Sequence, residues 1–415
     1  MRAGRSGARL AWLDALRGFA ALCVVFDHAT YHVLKPARIW VYQWFDPGQY
    51  GVFVFFLVSG YIIPASLERK GSVRGFWISR VFRLYPLYLI ALAASVVGSA
   101  NGWGTIHGAQ HHPLTAAASW LLMMPNVLSG PNVPNVTWTL AYEMVFYLVV
   151  AALFSWRAHK PSGGYALGLA GGAVALGGIL PMWSLYRAAG GRANAFGGGH
   201  VWLLDAAADA LIVGGVVVAV AASGRPNSLP ARIGASVAAV TGLILVNVNA
   251  YYPYPWSGCV ILALMFAGTL IYRAERGQAG KAKATAILLG VLVLTLAAGL
   301  WHGNTYGTSW LWQWVTSLVG AAVTFAIGMA LRHHRVPVPL AWLGLVSYSV
   351  YLLHPLVVDA YAHLSLHLSG VSMGVQAIIA LGIVATVLLV SAASYYVVER
   401  PMQKAGRWLT AHTTG

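Results

Sequence analysis

Predominantly apolar stretches of about 18–24 residues recur along this 415-residue chain, and that is the length an α-helix needs to cross the hydrocarbon of a bilayer. They lie near 11–33, 49–67, 82–99, 138–156, 164–182, 203–222, 231–249, 256–273, 284–302, 310–331, 340–362 and 375–397. Charged residues make up 9% of the chain and hydrophobic ones 59%, with a mean hydropathy of +0.68. One water-soluble core could not hide that much apolar surface, so the solvent must be lipid. The expected fold class is all-α: a polytopic transmembrane helical bundle of about 10–12 spanning helices. It is read as one integral-membrane domain over 1–415, with no separate soluble domain, in the cell (inner or plasma) membrane. Trp12, Trp77, Trp138, Trp156, Trp202, Trp256, Trp310 and Trp342 fall near the expected helix ends, as interfacial aromatic belts do.

The formal charge of +16 would suggest nucleic acid in a soluble protein. Here the Lys and Arg stand between apolar stretches, where they set orientation, and nucleic acid is not expected as a partner. With the N-terminus inside, only Lys35, Arg38, Arg187 and Arg192 of the 26 Lys and Arg fall outside, and 100–137 contains none. Both termini are thus expected to be cytoplasmic, the first helix serving as an uncleaved anchor. Cys23 and Cys259 sit in apolar runs, which supports neither a disulfide framework nor a thiolate metal site. Oligomeric state is left open, a homo-oligomer included.

Against this background LDALRGFAALCVVFDHA (13–29) is costly, because it carries Asp14, Arg17, Asp27 and His28. Each ionisable group at bilayer depth costs about 2.5–3.5 kcal/mol on insertion scales. Arg17 and His28 are eleven residues apart, which returns them to nearly the same helix face, roughly 16 Å apart along the axis. That face would connect a cytoplasmic arginine to a histidine beneath the outer surface. Other costly residues gather at the same two levels. SRVFRLYPLY (79–88) supplies Arg80 and Arg83 where the third helix is expected to begin, with Pro86 in its first turns, and VVERP (397–401) supplies Arg400. Deeper, VTWTLAYEMVFY (136–147) brings Glu143, SYSVYLLHP (347–355) brings Tyr351 and His354, and FFLVSGYII (55–63) brings Ser59, Gly60 and Tyr61.

Each group has an ordinary reading alone: the arginines as positive-inside anchors, His28 as a core histidine on a backbone carbonyl. An intramembrane carboxylate such as Glu143 is harder to explain without a partner. Taken together, guanidinium groups suit phosphate oxygens, and a buried His can remove a proton from a hydroxyl. A nearby carboxylate can orient that His and stabilise its imidazolium. A donor with phosphates at one end and a reactive acyl thioester on a long arm describes acyl-coenzyme A.

These motifs resemble the acyltransferase 3 family of integral-membrane O-acyltransferases. The resemblance rests on LDALRGFAAL with ten residues between Arg17 and His28, on FFLVSGYII, on Arg80 and Arg83 before YPLY, on WTLAYEMVFY, on SYSVYLLHP and on the closing ERP (399–401). It implies transfer of an acyl group, commonly acetyl, from cytoplasmic acyl-CoA, acetyl-CoA above all, to a hydroxyl, usually of a sugar. It also implies a catalytic role for His28 and donor handling by Arg17, Arg80 and Arg83. Many relatives carry a soluble hydrolase-like domain after the membrane part; none is seen by Gly415, so an autonomous transferase is expected. The FDHA of this chain departs from the apolar residue usual before the His. Asp27 lies about 100° around the helix from His28 and is not expected to be its direct partner.

The expected site therefore has His28 as general base with Glu143 in support. Arg17, Arg80, Arg83 and, with least support, Arg400 would hold the donor phosphates, and Ser59, Tyr61, Trp138, Tyr142, Tyr351 and His354 would line the acceptor cavity. No metal is expected: His107, His111 and His112 lie in a Gly- and Pro-containing loop without acidic ligands. The acceptor is read as a sugar, glycan or glycolipid, or alternatively a hydrophobic glycosylated natural product. From another class, a proton-coupled transporter would use His28 and Glu143 as a relay, although no internal repeat is evident.

Overall fold

The computed structural model describes residues 4–102, 106, 113–128, 130–177, 201–222, 228–248, 255–303, 306–364 and 371–413. It is 85% helical, and no strand occurs among the described residues. The order is α1 (Gly4–His32), α2 (Lys35–Val41), α3 (Pro47–Lys70), α4 (Val73–Ala100), α5 (Pro113–Leu121), α6 (Thr137–Ser155) and α7 (Ser162–Leu176). There follow α8 (Val201–Ala221), α9 (Leu229–Val248), α10 (Pro255–Glu275), α11 (Lys281–His302) and α12 (Thr308–Ala330). The chain closes with α13 (Val338–Leu364), α14 (Met373–Ser394), a π-helical turn (Tyr395–Glu399) and α15 (Arg400–Thr413).

The protein is a polytopic helical membrane protein: among the described residues nine helices are long and apolar enough to cross a bilayer. Two more apolar helices, Ser162–Leu176 and Ala206–Ala221, are shorter. The 29-residue α1 is outside the nine, and its stretch carries Asp14, Arg17 and Asp27. Each of the twelve apolar windows coincides with a helix over its described part. The end of the 164–182 window, the 190–200 segment and His107, His111 and His112 lie outside the described residues.

One expectation is corrected. The third long helix was expected to begin near residue 82, but α4 begins at Val73, so Arg80 and Arg83 lie well inside it and Pro86 is internal rather than in the first turns. GFWIS continues the helix upstream because nothing in it breaks one, and membrane helices tolerate an internal Pro.

The chain forms two compact units. The first comprises Met1–Val58, Phe82–Gly104 and Gly299–Ala405; the second comprises Ser59–Val81, Thr105–Ala298 and Gly406–Gly415. In the first, Ala21, Val25 and Ala29, spaced four apart on α1, and Val33 just past its end form a ridge packed with Leu343, Val346, Val350 and Val358 of α13 and Ala380, Ile383 and Val387 of α14. At the Arg17 end of this seam the two backbones nearly touch. A Cβ on Gly344 would lie 2.1 Å from the Asp14 carbonyl oxygen, and one on Gly18 would lie 2.7 Å from the Gly344 nitrogen. Lipid gives helices no hydrophobic drive to associate, so such small-residue contacts carry the packing.

In the second unit Gly60 plays the same part. A Cβ there would meet the Met265 carbonyl oxygen of α10 at 1.8 Å, and Thr269 Oγ1 donates to the Gly60 carbonyl at 2.8 Å. A partly buried ion pair, Arg273 Nη2 to Glu68 Oε1 at 2.5 Å, joins the ends of α10 and α3, and Arg273 also donates to the His159 carbonyl at 2.9 Å.

Candidate active site

His28 on α1 and His354 on α13 face each other in the first unit, with ring centroids 4.9 Å apart and planes inclined at 59°. His28 Nδ1 lies 3.0 Å from the Val24 carbonyl oxygen, and His354 Nδ1 lies 3.2 Å from that of Val350. A carbonyl can only accept, so in the neutral rings each Nδ1 carries the proton and each Nε2 keeps its lone pair. His354 is fully buried, and its Nε2 has no hydrogen-bond partner among the described residues. Tyr351, one turn before it, stands edge-on to the His354 ring at 5.9 Å and to Phe55 of α3 at 5.3 Å. His28 is only half-buried.

Asp27 turns to a different face, as its 100° offset requires. Its carboxylate accepts from Arg38 Nη2 at 3.2 Å and from the Tyr42 hydroxyl. Asp46, in the connection between α2 and α3, accepts the Gln49 backbone N–H at 2.8 Å and a longer bond from the same tyrosine. Burial first, and the Asp27 charge second, push the Asp46 carboxyl up to about 6. Burial, helped by both carboxylates, also pushes the Tyr42 phenol up.

A second cluster lies at the Arg17 end of α1. Arg17 Nη1 is 4.0 Å from Asp14 Oδ1, and Asp14 also feels the charge of Arg83 on α4. Ser349 Oγ on α13 donates to Glu399 Oε1, and that carboxylate feels both Arg83 and Arg17. Glu399 is 2% exposed, whereas Arg400, the residue chosen from the sequence, is exposed, with its guanidinium 6.0 Å from the Tyr396 ring. The π-turn explains the exchange: its wider winding re-registers the helix after α14, and the acid rather than the arginine is turned into the protein. Tyr348 donates to the Leu84 carbonyl at 2.8 Å and ties α13 to α4 beside Arg83.

The remaining sequence-derived residues lie in the second unit. Glu143 accepts a hydrogen bond from Tyr147, one turn on along α6. The Tyr147 ring lies 5.1 Å from the guanidinium of Arg80, which is also 5.0 Å from Phe76. Glu143 and Arg80, assigned to different depths from the sequence, are thus linked through one tyrosine. Trp138 stands edge-on to the fully buried Tyr142 at 6.0 Å. Tyr61 donates to Glu275 and stacks edge-on with Tyr272, and Ser59 is half-buried. Among the described residues no group of three or more His, Cys, Asp or Glu could hold a metal ion.

A family model described as an acyltransferase domain matches residues 10–395, a span that takes in both histidines, Glu143 and the arginine cluster up to α14. The chain belongs to the acyltransferase 3 family. Nodulation protein 10 of Rhizobium leguminosarum bv. viciae is 32% identical over 176 residues, which is 38% of this chain and 48% of that protein. The putative membrane-bound transacylase BcsY of Komagataeibacter xylinus is 25% identical over 407 residues, covering 94% of this family member and 81% of the relative. The putative peptidoglycan O-acetyltransferase YrhL of Bacillus subtilis (strain 168) is 28% identical over 152 residues, 33% of this chain and 22% of the relative. The chain thus spans about half the length of the nodulation protein and less of YrhL. No solved structure matches it.

Proposed function

We propose that this chain is an integral-membrane O-acyltransferase that moves an acyl group, acetyl in the simplest case, from cytoplasmic acyl-CoA to a hydroxyl of a sugar, glycan or glycolipid. The observation that carries the reading is the His28–His354 pair, two rings locked by their Nδ1 atoms with their Nε2 lone pairs left for chemistry. His28 Nε2 takes the proton from the acceptor hydroxyl as its oxygen attacks the thioester carbonyl. The carbon–sulfur bond then breaks, and the departing thiolate takes the proton from the imidazolium. Such positioned proton transfer contributes about 10²–10⁴-fold. His354 supplies a buried acceptor nitrogen, which a protonated His28 or a second substrate hydroxyl can satisfy; burying it unpaired would otherwise cost free energy.

Arg17 and Arg83 hold the donor phosphates, about 16 Å along α1 from His28, and Arg80, three residues before Arg83 on one helix face, is assigned with them. Glu143 enters as a catalytic carboxylate, its orientation set by the hydrogen bond it accepts from the Tyr147 hydroxyl. Tyr351 belongs to the acceptor wall because its ring packs on His354. Ser59, Tyr61, Trp138 and Tyr142 carry weaker support, since Tyr61 and Tyr142 are already engaged in packing. The cell membrane, with cytoplasmic termini, is the location that the Lys and Arg bias supports.

The test is to supply the purified chain with labelled acetyl-CoA and a panel of acceptors that includes a free sugar, a glycolipid and a hydrophobic glycosylated small molecule. Labelled acceptor and free CoA should appear in equal amounts. Proton-coupled uptake of a solute into vesicles without CoA release would overturn the reading in favour of a transporter.

A further inference from the structure

We propose that Asp27 is a positioning residue for His28: it latches Arg38 of α2 onto α1 and so builds one wall of the opening through which an acceptor reaches the imidazole. The inference rests on the reading of His28 as the base and deepens it. Successive residues turn by about 100° around the axis of α1. Measured from Asp27, Tyr31 falls at about 40°, His28 at about 100°, and Ala21, Val25 and Ala29 at roughly 120–200°. His28 therefore stands at the edge of the α13 seam, with His354 on one side and Tyr31 and Asp27 on the other. Arg38 joins these last two. Its Nη2 donates to Asp27 Oδ1 at 3.2 Å, and its guanidinium lies 4.9 Å from the Tyr31 ring and 3.8 Å from the Tyr42 ring. The clamp thus covers the sector of α1 next to His28.

The helix that carries Arg38 needs this hold. α2 has seven residues, none of them buried, and no side-chain cap, and so short a helix is marginal by itself. It follows Val33, which is buried in the α1–α13 core, and it leads into a linker tied to α12. There the carbonyls of Tyr42, Trp44 and Asp46 accept from Gln313, Thr316 and Ser317, the last two at 2.6 and 3.1 Å. α2 is a strap anchored at both ends, and Arg38 holds its middle. The Asp27 carboxylate also accepts from the Tyr42 hydroxyl, and a Cβ on Gly48 would lie 2.6 Å from its Oδ2. At 8% exposure it is seated between the strap and the first turn of α3. Without its charge Arg38 loses its anchor, and the strap is released from the Tyr31 side of His28.

The experiment follows modification of each histidine by diethyl pyrocarbonate, read by peptide mass spectrometry, in the full chain in lipid nanodiscs. Wild type, Asp27→Asn, Arg38→Gln and the double variant are compared at about pH 8, where an ordinary imidazole is neutral. Each single variant should raise the His28 rate about fivefold, and the double variant should go no further, because the two residues form one latch. The two side chains carry opposite charges, so a rise in both variants is not a shift in imidazole protonation. The buried His354 should keep its wild-type rate. Should a charge variant fail to fold, Tyr42→Phe, which drops the hydroxyl bond and keeps the ring against Arg38, must raise the His28 rate alone. A His28 rate within about twofold of wild type in folded variants overturns the latch. So does an equal rise at both histidines, which is general loosening. Either result with acetyl transfer intact leaves the base reading standing; absence of transfer by wild type overturns that reading and the acceptor role of the opening with it.

Discussion

The rings of His28 and His354 meet across the α1–α13 seam at 4.9 Å, each tied through Nδ1 to the carbonyl four residues before it. The seam that creates this meeting is the same one that Gly18 and Gly344 close at its other end. In the proposed mechanism the half-buried His28 ring meets the substrate and the buried His354 ring fixes its surroundings. Replacing His354 by Gln keeps one hydrogen-bonding group but loses the ring, and should lower kcat by about 10–100-fold while leaving CoA affinity unchanged. Steady-state kinetics with a parallel CoA titration checks the split; an equal loss in both would make His354 a folding residue only.

Arg83 lies on α4 beside Leu84, whose carbonyl accepts a hydrogen bond from Tyr348 of α13. Arg83→Ala should raise the KM for acetyl-CoA by about tenfold or more, with kcat at saturating donor close to wild type. The loss should shrink as salt rises, since screening weakens the wild-type contact too. A kcat effect without a KM effect would move Arg83 out of donor binding.

Gly344 meets backbone, which cannot yield as a side-chain tip can. Gly344→Val should therefore force α1 and α13 apart and destabilise the protein by about 1–3 kcal/mol or more. Thermal unfolding in detergent reads this directly, and an unchanged midpoint would contradict the close crossing.

Asp46 gives a pH test. Its folded-state carboxyl, at about 6 against an ordinary 3.8, binds more protons than the unfolded one, so its contribution to stability falls as pH rises through that window and is lowest above it. Asp46→Asn titrates nowhere. The midpoint of this variant relative to wild type should climb between about pH 4 and pH 6 and then level off. A constant difference across the series would place the Asp46 carboxyl at its ordinary value.

The sequence disclosed the architecture because apolar length is a property of contiguous residues and survives folding unchanged: each of the twelve windows coincides with a helix over its described part. It also put Arg17 and His28 on one face of α1, and the His28 ring meets His354 of α13. The rest was hidden for identifiable reasons. Periodicity assumes an α-helix, so it could not show that a π-turn would bury Glu399 and expose Arg400. The ERP motif did contain that acid, and an acidic residue in an apolar span was the available signal. Asp46 and Tyr42 lie outside the long helices, where depth arguments do not reach. Gly60 drew notice only for its depth in the second long helix, and the contact that explains it is with α10, more than two hundred residues away.

The account stands most directly on His28→Ala, assayed for transfer of labelled acetyl from acetyl-CoA alongside CoA titration. It predicts CoA affinity within about twofold of wild type and transfer reduced by about 10²–10⁴-fold. Transfer at the wild-type rate would remove His28 from the chemistry and contradict the mechanism built on it.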